Sequence, residues 1–162
     1  MPAADLALDH SRILLAGELL IYLERTLAGE ELVSDDAPPR AYGLAPTVLD
    51  GEEVVGGIGR DERIWLGFQA VDPRRPVSLR VRTEGRPARD ARLICPPGYY
   101  LPERPGGGCR LFSQGRLTVI VERPSPAQAR IRIVDLDNFS KLSGEAAQPL
   151  DPDSGYGGWL LP

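Results

Sequence analysis

Histidine occurs once, lysine once and cysteine twice in the 162 residues. The lone histidine, His10, has no second imidazole with which to share a metal, and a histidine-based catalytic triad is hard to build around it. Ser11 follows it directly, and sequence neighbours on a helix point to different faces, so the two do not read as a base and its nucleophile. Cys95 and Cys109 have no third cysteine or histidine near them, which excludes a zinc pattern. No run of 18 apolar residues exists, so no membrane-spanning helix is expected. The first ten residues, MPAADLALDH, hold two Asp and no Lys or Arg. That is unlike the basic start of a secretory signal, and a cytoplasmic location is the expectation. The glycines of VVGGIGRDER (54–63) are not followed by the Lys-Ser/Thr of a phosphate-binding loop, and read as a glycine turn between strands. Asp151 and Asp153 lack the distal carboxylate of a calcium loop. No metal and no cofactor is expected.

Charge is abundant but unevenly placed. Residues 1–59 carry eleven acids and three Arg, residues 60–133 carry fifteen Arg and seven acids, and residues 134–162 carry five acids and Lys141. A basic middle between acidic ends has two readings. The acids neutralise the basic strands, or an arginine face binds an anionic partner such as nucleic acid. Gly (18) and Pro (16) make turns frequent, and the length suffices for one domain with a real core over 1–162.

Residues 3–28 read as a helix. Leu6, Ile13, Leu20 and Leu27 recur every seven residues, Leu8, Leu15, Leu19 and Tyr22 widen the stripe, and Gly29 stands where a helix stop belongs. Strands follow at short intervals, at 43–49, 52–56, 62–71, 76–83, 91–95, 108–112, 116–122 and 129–136. Val77, Leu79 and Val81 alternate with Ser78, Arg80 and Arg82, and Ile131 and Ile133 alternate with Arg130 and Arg132, the period of strands with one buried face. Residues 137–162 read as an irregular tail. The expectation is a mainly β (α+β) domain, an antiparallel sandwich or barrel-like unit over 43–136 with the N-terminal helix packed on it. The segment 77–96, with its Gly-Arg-Pro turn, resembles a strand pair of bacterial immunoglobulin-like modules, which implies a β-sandwich that binds or spaces.

The most distinctive stretch is CPPGYYLPERPGGGC, residues 95–109. Its prolines and glycines forbid a helix or continuous strand. Residues 96–108 are therefore expected to leave the sheet and return between paired strands, bringing Cys95 and Cys109 close enough for a disulfide. Tyr99, Tyr100 and Leu101 would then be presented for recognition, or folded down as a lid. No catalytic residue is named, because the paired carboxylates lie in exposed, turn-like settings. The leading expectation is a non-enzymatic binding or assembly module that meets a protein partner or a second copy of itself. The alternative is an enzyme or anion binder in which Arg80, Arg82, Arg130 and Arg132 hold an anionic ligand or nucleic acid.

Overall fold

A computed structural model describes residues 5–29, 38–84, 90–103 and 108–150. The N-terminal segment is not a helix but three strands, β1 (Leu6–Asp9), β2 (Arg12–Leu15) and β3 (Leu19–Leu27). Backbone conformation decides this. His10 and Ser11 have φ of 49° and 68°, and Ala16 and Gly17 have 54° and 65°. A right-handed helix admits no such residue, whereas a two-residue hairpin turn of the tightest kind requires positive φ at both central positions. His10-Ser11 therefore joins Asp9 to its ladder partner Arg12, and Leu15 returns to Leu19 through Ala16–Glu18.

The apolar run from Ile13 to Leu23 is divided between β2 and β3, and it stays apolar through β3 because that strand is buried on both faces. Leu19, Ile21 and Leu23 enter the main core, while Tyr22 and Glu24 lie buried on the opposite face beside Trp65. A strand covered on both sides loses the alternation that would have marked it, and in sequence it resembles a helix.

Seven of the eight further strands expected are present, the first shortened to start at Thr47. They are β4 (Thr47–Asp50), β5 (Glu53–Ile58), β6 (Glu62–Ala70), β7 (Val77–Thr83), β8 (Asp90–Cys95), β9 (Gly115–Arg123) and β10 (Ala127–Asp135). Residues 108–112 form only isolated bridges and no strand, because they pair with Pro102 and with a single residue of β6 rather than with a neighbouring strand. The strands form two sheets, ordered β1-β2-β3-β6 and β4-β5-β10-β9-β7-β8. All neighbours are antiparallel except β5 and β10. One apolar core draws on both sheets: Ile13, Ile21, Leu66 and Phe68 from the first, Leu79, Val119, Ile131 and Ile133 from the second. The main ladders do not close into a barrel. Two crossing segments tie the sheets at their margins. Residues 42–45 bond β3, with Arg25 N donating to Gly43 O and Ala45 N to Leu23 O, before the chain enters β4. On the other side the chain leaves β8 and bonds β6, where Phe68 N donates to Tyr99 O at 2.8 Å.

Of the glycines expected to form a turn between strands, Gly59 does lie between β5 and β6, whereas Gly56 and Gly57 lie inside β5. A Cβ on Gly56 would come within 3.0 Å of Leu23 Cδ1, and one on Gly57 within 2.8 Å of the Phe139 ring. These glycines let β3 and a helix approach the strand from its two sides. That helix is α1 (Leu136–Ser143), placed where an irregular tail is expected. Asp135 caps it by accepting from Asn138 N, and Gly144 ends it in the left-handed region at φ 75°, with its N–H donated to Ser140 O. Residues 151–162 lie outside the described part of the chain.

Candidate functional site

Arg80, Arg82, Arg130 and Arg132 do share the outer face of the six-stranded sheet, on β7 and β10, as their alternation requires. Each of them faces a carboxylate. Arg80 and Arg82 both reach Asp90, at 2.8 and 3.3 Å, Arg130 meets Glu52 at 3.5 Å, and Arg132 meets Asp50 and Glu53 at 2.9 and 3.2 Å. Arg92 and Arg116 on the same face pair with Glu122 and Glu53. The Arg82 and Arg80 contacts hold the Asp90 carboxyl below its ordinary range. A depression of 340 Å³ on this face is lined by Asp50, Glu53 and Glu84 against Arg116 and Arg130. Its carboxylates outnumber its cations, so it offers an anion no excess positive charge.

The 95–109 stretch departs from expectation in its route. Residues 92–94 and 110–112 do not pair with each other. Instead Glu103 N donates to Gly108 O and Arg110 N to Leu101 O, a small hairpin of its own. Both its legs dock on β6, through Tyr99 O to Phe68 N and through reciprocal bonds between Phe112 and Ile64. Docking on that free edge satisfies backbone groups that an excursion into solvent would leave to water. Leu101 is fully buried in the core, so it cannot be presented for recognition. Tyr99 and Tyr100 are half-buried and pack edge to face, centroids 5.1 Å apart.

The two cysteines are free thiols. Cys95 sits opposite Val77 in the β7–β8 ladder and Cys109 opposite Pro102 in the hairpin. Burial raises both thiols, and burial together with the charge of Glu103 pushes Cys109 up to about 12. Neither is an activated nucleophile.

Two features escaped the sequence reading. The first is the outer edge of β8. Among the described residues this strand pairs only with β7. Ile94 O accepts from Gly98 N at 3.0 Å, which turns that carbonyl away from β7. Backbone groups alternate along an antiparallel strand, so those of Asp90 and Arg92 face outward too. Ile94 itself is 56% exposed, the most exposed large apolar side chain among the described residues. The second is a cleft of 520 Å³ where β4 meets α1 and residues 145–148, lined by Arg25, Leu44, Thr47, Val48 and Phe139 among others.

Comparison of the chain with protein-family models, curated proteins and solved structures found no match. No described helix is long and apolar enough to cross a membrane. The described residues place no group of three or more metal-ligating side chains together.

Proposed function

We propose that this protein is a binding and assembly module that accepts a strand from a partner chain along the outer edge of β8. The carrying observation is that edge: outward backbone groups at Asp90 and Arg92 beside an exposed Ile94. An open strand edge is a template for a further strand, with main-chain hydrogen bonds supplying affinity and alternate side chains supplying selectivity. The half-exposed Tyr99–Tyr100 pair follows β8 in the chain and adds amphipathic contact area. A second copy of the chain and a different protein are both admitted as partner.

The arginine face supports the anion-binding alternative less well, because its cations are matched by carboxylates. The test is Arg92→Pro. Proline removes the outward N–H and is tolerated on a sheet edge. Association of the purified chain, or its capture of a partner, should be lost while the melting temperature stays near that of the parent. Undiminished association in this variant would rule the edge out.

A further inference from the structure

We infer that the cleft between β4 and α1 is a second binding site, for an extended peptide held by its main chain, and that residues 144–150 of this chain cover it as a displaceable strap. Arg25 and Glu62 form a largely buried ion pair. Glu62 is 3% exposed and accepts from Arg25 Nη1 at 3.3 Å. Charge at this point is already balanced, so an anionic ligand would meet Glu62 as well as Arg25 and gain little. What the pair still offers is hydrogen bonding of both senses to a neutral amide. The strap uses it in that way. Gln148 O accepts from Arg25 Nη1 at 3.2 Å, and Leu150 N donates to Glu62 Oε2 at 2.9 Å.

Both contacts are made by the strap's backbone, and Glu145, Ala146 and Gln148 remain exposed. Little of its sequence is therefore read, and another extended segment could make the same two bonds. Two further polar atoms on the cleft lining are buried without a hydrogen-bond partner, Arg25 Nε and Thr47 Oγ1. Buried polar groups are rarely left so, and each unmade bond favours a ligand that supplies the missing partner. Leu44, Pro46, Val48 and Phe139 give the cleft apolar walls for the peptide's side chains. Its β4 side is an edge strand, paired with β5 alone among the described residues, so an added segment can lie along it.

The strap is suited to leave. It follows the helix stop at Gly144 and has no strand or helix of its own. Such weakly packed segments open locally at little cost.

The experiment uses the full chain and a fluorescein-labelled synthetic peptide with the sequence of residues 144–150. Leu150→Pro removes the N–H that Glu62 accepts, so the strap competes less. The peptide should bind this variant about tenfold more tightly than the parent chain. Thr47→Val keeps the strand's branched shape and removes the hydroxyl, and should weaken binding severalfold. In the unmodified protein, saturating peptide should speed hydrogen exchange at the Leu150 amide, a readout that stands even where the proline variant fails to fold. Arg92→Pro should leave peptide binding unchanged, which separates this site from the β8 edge. Absence of binding at millimolar peptide, or binding that leaves Leu150 exchange unaltered, would overturn the proposal.

Discussion

Single side chains divide the 95–109 stretch into structure and surface. Leu101 has no exposed area, so Leu101→Ala should cost about 2–5 kcal/mol in chemical denaturation, the range for emptying a core leucine site. Tyr99→Ser should cost less, since that ring is only half-buried. A neutral Leu101→Ala would contradict the assignment of the hairpin to the core. Asp90 provides a pH-dependent test. Arg82, and Arg80 with it, hold its carboxyl below the usual range. A carboxyl depressed in the folded state stabilises the fold above its unfolded value of about 3.9, and that contribution disappears as pH falls through the folded value. Unfolding curves should therefore show the parent ahead of Asp90→Asn at pH 6, with the gap closing as pH falls below the unfolded value. A gap independent of pH would mean that the charge of Asp90 is not what its arginines hold.

At the level of elements, legibility followed burial. Strands with one wet face, such as β7 and β10, were readable because Arg80, Arg82, Arg130 and Arg132 alternate with buried aliphatics. The first three strands were not, because β3 is covered on both faces and its turns use His10-Ser11 and Ala16-Gly17 rather than the Asn-Gly that marks such hairpins. This makes a decisive substitution available. His10→Asn with Ser11→Gly supplies the residues that positive φ favours and should stabilise the protein by about 1 kcal/mol. In a helix the same pair would lower stability by about the same amount. Helix α1 was hidden for a different reason: it has eight residues and buries only Phe139, too little for a periodic signal. Its footing is Gly57, where a Cβ would stand 2.8 Å from the Phe139 ring. Gly57→Ala should cost about 1–3 kcal/mol by forcing the helix outward. An unchanged melting temperature would show that α1 yields without cost.

Across the whole molecule, charge and edges point to different roles. Arginines of the basic middle meet Asp50, Glu52 and Glu53 of the acidic first segment, and Asp90 of the middle itself. The charge asymmetry in the sequence thus has a partner inside the fold. Of the site residues named from sequence, the four arginines share one face as expected, Leu101 is internal, and Cys95 and Cys109 remain thiols. The β8 edge could not be read in advance, because which strand ends a sheet is decided by long-range pairing and not by local pattern. Sedimentation of the parent chain and Arg92→Pro, each purified and each also mixed with cell extract, addresses the proposed edge most directly. The parent should sediment as an assembly with a second copy or a captured partner, while Arg92→Pro, folded and equally heat-resistant, should sediment as a single chain. Equal assembly by both proteins, or none by the parent under either condition, would contradict strand addition at β8.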